Sequence, residues 1–312
     1  MSSERITVVI ISYNRSEDLR LVIESILASQ YPNLEVIVVD NNSTDNTEKL
    51  VKDKYTNIRY IKTPENIGAS ARNIGILSAS GDILIMLDDD IVGITDDDIK
   101  LIDKYFSENN ELAAINFKVL NHADLQICNW VHHCRQEVFG NSEFRTYEIT
   151  EGAVAFRKSI VTKVGNYPER FFISHEGPDL AFRIINAGYY LIFTPKIDVI
   201  HYHITTGRKK WLNYYYDTRN QIYLAIRNFP ILYGIKYLFI GLSSMMIYSI
   251  RDGYFKYWFK GIYDGLFGIG WAFETRNVLN NRAMKYLKSI DKNRPSLFYM
   301  IKKRFFKSNA RL

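Results

Sequence analysis

The residues whose types and spacing bear most directly on chemistry are Asp88, Asp89 and Asp90. They close a run of five apolar residues, 83–87, that Gly81 and Asp82 precede. A short apolar run bounded by a glycine and a charge cluster reads as a buried strand, so three carboxylates arrive together at its C-terminal end. Side by side they repel and raise one another's pKa. A divalent cation with oxygen ligands is their natural counter-ion. In open α/β sheets, ligands sit outside the carboxyl ends of the strands. The same residues also suit a solvated acidic turn or a helix N-terminus favoured by the dipole. Asp96, Asp97 and Asp98 illustrate that second use. They open an amphipathic pattern of Ile99, Ile102, Tyr105 and Phe106 and receive no chemical role.

The elements that must position the acids alternate. Residues 6–11 form a β-branched apolar run, followed by the loop Ser12, Tyr13, Asn14, Arg15. Ser16 is placed to cap a helix whose apolar positions Leu19, Val22, Ile23, Ile26 and Leu27 share one face. Residues 34–39 form a second buried strand ending at Asp40, and residues 58–61 a short third. Small residues (Gly68, Ala69, Ser70, Ala71) then open a helix carrying Arg72. Strands alternating with helices predict an α/β layer with a mostly parallel sheet. Tyr13, Asp40 and Asp88 to Asp90 would then face one crevice.

Composition sets the frame. The 312 residues allow one or two domains with a large core. Hydrophobic residues make up 47% of the chain, which excludes wholesale disorder. Cys128 and Cys134 show no zinc or disulfide pattern and suggest a reducing compartment. The first apolar run is too short for a signal-peptide core. The longest apolar stretch, 237–250, falls short of the roughly 20 residues of a spanning helix and is expected to be interfacial or buried.

Six blocks in register carry a family resemblance: "SYNR", "VVDNNSTDNT", "ENIGASARNIG" and "GDILIMLDDD", then "EGAVAFRKSIVTKVGNYPERFF" and "HEGPDLAFRIINAGYYLIFTP" running into "VIHYH". Over residues 5–205 the chain resembles the family 2 glycosyltransferases, which have the GT-A fold. The later "YYYDTRNQIYLAIRN" is similar, more loosely, to bacterial members that build rhamnan, O-antigen or related cell-surface glycans. The resemblance implies a catalytic domain over 1–210, with a nucleotide-binding half at 1–95 and an acceptor half at 96–210. Residues 211–312 would be a helical, aromatic-rich region that meets the membrane or forms oligomers.

Glycosyl transfer from a nucleotide sugar makes three demands, and each finds candidates. Tyr13 is placed to stack on the base, or else is a packed loop aromatic. Asp40 matches the acid that accepts from the ring N–H of a uracil or thymine, or else caps a turn. Arg72, near a helix start, suits a diphosphate, or else a surface salt bridge. Asp88 and Asp90 match the outer positions of the family's DXD motif. Asp90 would hold Mg²⁺ or Mn²⁺, Asp88 the ribose or the metal, and Asp89 takes the variable position among the nucleotide-sugar contacts. His201 matches a metal ligand of several relatives, and His203 is a weaker match. Many relatives carry a Glu-Asp pair before Asp-Leu; here it reads Glu176-Gly177-Pro178-Asp179. Glu176, presented by a Gly-Pro turn, becomes the expected base and Asp179 the runner-up, unless Asp179 caps a helix. Glu151 and Gly152 are expected to line the sugar pocket.

The resemblance thus implies inverting transfer from a UDP- or dTDP-sugar to a hydroxyl of a glycan or lipid-linked acceptor. The alternatives are a non-catalytic nucleotide-sugar-binding subunit or a nucleotidyltransferase. The second fits poorly, because the loop after the first strand has no glycine. Basic and aromatic residues punctuate the last third and its tail (Lys302, Lys303, Arg304, Phe305, Phe306). They predict peripheral contact with the inner face of the cell membrane, or else homo-oligomer packing, in a cytoplasmic protein. No nucleic-acid motif accompanies them.

Overall fold

The computed structural model describes residues 5–202, 210–296 and 299. His203 and the basic tail lie outside the described residues. The chain runs β1 (Ile6–Ser12), α1 (Ser16–Leu27), β2 (Leu34–Asp40), α2 (Thr47–Lys54), β3 (Arg59–Lys62), α3 (Ala71–Ser78) and β4 (Ile83–Asp88). It continues through β5 (Ile91–Val92), α4 (Asp96–Glu108), β6 (Leu112–Asn121), α5 (Gln136–Phe139), β7 (Phe144–Thr146), β8 (Ala153–Arg157) and α6 (Lys158–Val164). Then come α7 (Glu176–Asn186), β9 (Tyr190–His201), α8 (Trp211–Asn228), α9 (Ile231–Arg251), α10 (Phe255–Phe267), α11 (Ile269–Glu274) and α12 (Asn281–Ile290).

One sheet organises these elements in the order β3-β2-β1-β4-β8-β6-β9-β5, with β7 also on β9. The first four strands are parallel, as expected. The rest is mixed, because β8 runs antiparallel to both its neighbours and β9 pairs antiparallel with β5 and β7. Period-2 alternation divides the core between the two faces of the sheet. Val9, Ile37, Val39, Leu84 and Met86 face α3, α6, α7 and the C-terminal helices. Val8, Ile10, Val36, Val38, Ile83 and Ile85 face α1 and α4. Thr95 and Asp98 form a capping box at α4, which makes the Asp96 to Asp98 cluster a helix start.

Two local expectations fail. Ser16 does not cap α1; it is the first helical residue, and its N–H donates to Asp45 at 2.9 Å. Pro178 does not make a turn before a helix at Leu180. The helix already begins at Glu176, and proline is tolerated in a first turn, where its missing N–H has no helical partner.

The C-terminal helices share the hydrophobic core of the sheet. Asp179 in α7 has no solvent exposure and accepts from Arg183 at 2.9 Å, Arg227 of α8 at 2.8 Å and Asn228 at 2.8 Å. Burial disfavours its charge, but the two guanidiniums outweigh burial and hold its pKa below the usual 3.8. Asp179→Asn strands two buried cations and is expected to cost about 3–5 kcal/mol. Because the folded pKa is depressed, this contribution is present above the unfolded value near 4 and lost as pH falls through the folded one. Urea unfolding of both forms should show a gap at pH 7 that narrows below pH 4; a gap constant with pH contradicts the ion pair.

Candidate active site

Register places the candidates at one end of the sheet. Ser12 lies beside Asp40 and Ile11 beside Asp88, so the loops after β1, β2 and β4 open on the same side. β1 sits between β2 and β4, where consecutive connections leave in opposite directions, and such a switch point forms a ligand crevice. After Asp88 the chain turns through Asp89 and Asp90 into β5, which pairs with the end of β9. Ile91 therefore faces His201, and Tyr202 N–H donates to Asp90 O at 2.8 Å. A two-residue strand is thus what brings a histidine from the far end of the fold to the acids.

The three aspartates have different surroundings. Asp90 is buried, and its Oδ2 takes His201 Nε2 at 3.1 Å as well as Arg15. Burial opposes its ionisation, but His201 and Arg15 outweigh that and hold its pKa down. Burial likewise opposes charge on His201, yet Asp90 and Cys128 together raise its pKa to about 9. Asn129 bonds the other ring nitrogen, Nδ1, at 2.9 Å and so orients the imidazole. Asp89 is turned inward and accepts from Tyr13 N–H at 3.2 Å; burial pushes its pKa up to about 7. It ties β4 to the β1 loop and does not line the crevice as a sugar contact. Asp88 keeps 39% of its side chain open and accepts from Arg72 at 2.7 Å.

Three further expectations need correcting. Asp40 has no exposure, and its carboxylate accepts from Ser43 N–H at 2.7 Å and from the Tyr60 hydroxyl. It shapes its own loop and does not present itself to a base. Arg72 is buried between Asp88 and Glu151, with Nε 3.5 Å from Glu151, so carboxylates already occupy its guanidinium. Asp179 is enclosed by its two arginines and cannot serve as a base. By contrast, the Tyr13 ring is 46% exposed at the crevice mouth, where it can stack. Gly152, at φ +76°, lies against Asp88, and a Cβ there would overlap that carboxylate.

The approach to Glu176 is built by an α8 motif. Phe172, Ser174 and His175 all have positive φ, a costly conformation for residues other than glycine. Asn220 pins this loop by donating to the carbonyls of Phe171, Ile173 and Ser174 at 2.7–2.8 Å. Arg219 donates to those of Arg170 and Phe171 at 2.8 and 3.0 Å. Glu176 itself is 5% exposed in the first turn of α7. Sequence reading missed Arg15, Tyr60, Asn129, Tyr167 and Asn220 as site-building residues. Arg15 alone carried a signal, a cation two residues beyond Tyr13 at the strand end that meets three acids.

The expected metal set Asp88, Asp90 and His201 is assembled only in part. Among the described residues, no group of three or more His, Cys, Asp or Glu side chains is arranged so that it could hold a metal ion. Two of the three meet, Asp90 with His201, and Arg15 puts a positive group on the same oxygen. The Asp90 carboxylate is a ligand of the kind Mn²⁺ and Mg²⁺ take, and His201 adds an imidazole beside it. Two protein ligands suffice where substrate phosphates complete the shell, so the residues fit such an ion.

Residues 7–137 match the model of Glycosyl transferase family 2. The chain is 25% identical over 194 residues to the O-antigen chain rhamnosyltransferase WbaN of Salmonella anatum, covering 58% of this chain and 60% of WbaN. Against another curated relative the chain spans 49% of that protein's length. Among solved structures, S. aureus TarS 1–349 in complex with UDP-GlcNAc superposes with a TM-score of 0.60 at 14% identity, covering 97% of this chain and 92% of that one. The mannosyltransferase PcManGT of Pyrobaculum calidifontis, in complex with GDP-Man and Mn²⁺, gives 0.54 at 16% identity, covering 98% and 89%. These likenesses establish a shared fold. Over residues 7–137 the chain is similar to glycosyl transferase family 2, and it is built on the GT-A fold.

Proposed function

We propose that this protein is a metal-dependent, inverting glycosyltransferase. It moves a sugar from a UDP- or dTDP-linked donor to a hydroxyl of a glycan or lipid-linked acceptor during assembly of a bacterial cell-surface polysaccharide. The observation that carries this reading is the pairing of Asp90 with His201 beside Asp88 at the switch point of the sheet. Asp90 and His201 would hold the cation, which, when bound, neutralises charge on the departing diphosphate. Tyr13 stacks on the base. Asp88, fixed by Arg72, faces the ribose and sugar. A carboxylate on the acceptor side, Glu176 or Glu151, takes the acceptor's proton, and direct attack by the acceptor then inverts the anomeric centre. The similarity to WbaN supports the cell-surface glycan.

Donor hydrolysis tests the reading. Incubated with UDP- and dTDP-sugars and Mn²⁺, the chain should release nucleoside diphosphate, and Asp90→Asn should lower that release by about 10²-fold or more, the scale of a lost transition-state contact. Equal release by both forms removes Asp90 from the chemistry.

The C-terminal helices support a membrane-facing role on the inner leaflet. Residue 236 does not interrupt the apolar stretch; it lies within α9, which spans 21 residues. Among the described residues this is the one helix long and apolar enough to cross a membrane, and 17% of its most apolar 18-residue window is buried. The stretch is therefore longer than expected, and of the two expected settings, interfacial or buried, its exposure rules out the buried one. Leu232, Phe239 and Ile247 of α9 and Phe259 and Phe267 of α10 are exposed, Phe267 to 83%. Apolar side chains of that size at the surface favour an interface with lipid. The intact chain should float with anionic liposomes, whereas replacing Leu232, Phe239, Phe259 and Phe267 by serine should leave it in the pellet fraction. Equal flotation of the two removes the membrane role.

A further inference from the structure

Gly177 and Glu151 occupy one another's space. A Cβ at position 177 would overlap Glu151 Oε1 and stand 3.1 Å from Ile149 Cβ, so a side chain there would displace the glutamate from its present position. Two groups hold the other carboxylate oxygen: the Tyr167 hydroxyl donates to Oε2 at 3.0 Å and Arg72 Nε lies 3.5 Å away. Tyr167 is in turn fixed through its backbone, whose N–H and carbonyl both pair with the Asn73 side chain at 2.9 Å. Oε1 is out of water and has no hydrogen bond. A carboxylate oxygen seldom stays buried and unused unless a proton or a ligand completes it. The side chain as a whole remains 23% open, whereas Glu176 beside it is 5% exposed.

From this arrangement we infer that Glu151, seated over Gly177, is the catalytic proton acceptor, resting on the glycosyl-transfer reading above. The acceptor oxygen bonds to the anomeric carbon, and its proton passes to Glu151. The bond from the anomeric carbon to the diphosphate oxygen breaks, and its electron pair leaves with the nucleoside diphosphate. The site suits that task. Burial, with Glu176 adding like charge, lifts Glu151 well above the usual carboxylate range although Arg72 opposes the shift. Arg72 contacts Asp88 and Glu151 at once, so the carboxylate on the acceptor side is fixed relative to the one on the donor side. Glu176 supplies a second negative charge and does not receive the proton. The sequence around Gly177 thus loses an acid from the helix and regains one from the β8 side of the cleft.

Two variants test the assignment in the intact chain with Mn²⁺ and a nucleotide-sugar donor. Glu151→Gln should lower turnover by about 10²–10⁴-fold, the usual contribution of a general base, while thermal stabilisation by UDP or dTDP stays at the wild-type value. Its residual rate should also lose the acid limb of the pH profile. Glu151→Ala with Gly177→Asp, which returns the acid to the helix, should recover at least about tenfold over Glu151→Ala alone, and this comparison stands even if Glu151→Gln folds poorly. Turnover by Glu151→Gln within about threefold of wild type overturns the assignment, as does a double variant no faster than Glu151→Ala. A wild-type chain that neither hydrolyses nor is stabilised by any nucleotide sugar overturns the glycosyl-transfer reading beneath it instead.

Discussion

The constraint on which the rest of this structure depends is charge at one end of a sheet. Asp88, Asp89, Asp90, Glu151 and Glu176 converge there, and Arg15 and Arg72 are the guanidiniums that meet them. Two guanidiniums cannot neutralise five carboxylates, so the fold spreads the problem. Burial keeps Asp89 close to its protonated form, Arg72 is shared between Asp88 and Glu151, and Asp90 shares a proton-bearing partner in His201. What remains is a crevice lined by closely held charges of both signs in low dielectric, where a cation would enter together with its phosphates.

The C-terminal helices belong to the same account. Asp179 would be an intolerable buried charge without Arg227, which comes from α8. The loop that delivers Glu176 would not hold its left-handed residues without Asn220, from the same helix. The "TRNQ" stretch therefore reads as the clamp on the acceptor side of the site. The exposed apolar faces of α9 and α10 lie on elements tied through α8 to the cleft, so the lipid-facing surface and the acceptor site proposed above would share one support.

Much of the donor side was legible in residue order. Short apolar runs locate β1, β2 and β4, the last two ending in an acid, and alternation with helices fixes their parallel order. What was not legible depends on contacts that no local pattern records. Asp40 looks like a ligand residue until Tyr60, from a neighbouring strand, is seen on its carboxylate. Asp179 looks like a base until an arginine 48 residues away encloses it. Gly177 reads as a missing acid along the chain; in space it is the opening through which Glu151 enters. Helix α9 was underestimated because Lys236 breaks the apolar run in sequence while a helix carries one lysine on its surface at little cost.

The central claim is that Asp90 and His201 form half of a cation site whose other half arrives with the nucleotide. Electron paramagnetic resonance of Mn²⁺ measures this directly as the loss of free-ion signal on titration with protein. Binding should be weak for the protein alone and tighten at least about tenfold when UDP or dTDP is added, with the gain abolished in His201→Ala. Equal Mn²⁺ binding with and without nucleotide, or a gain that survives His201→Ala, would contradict the account.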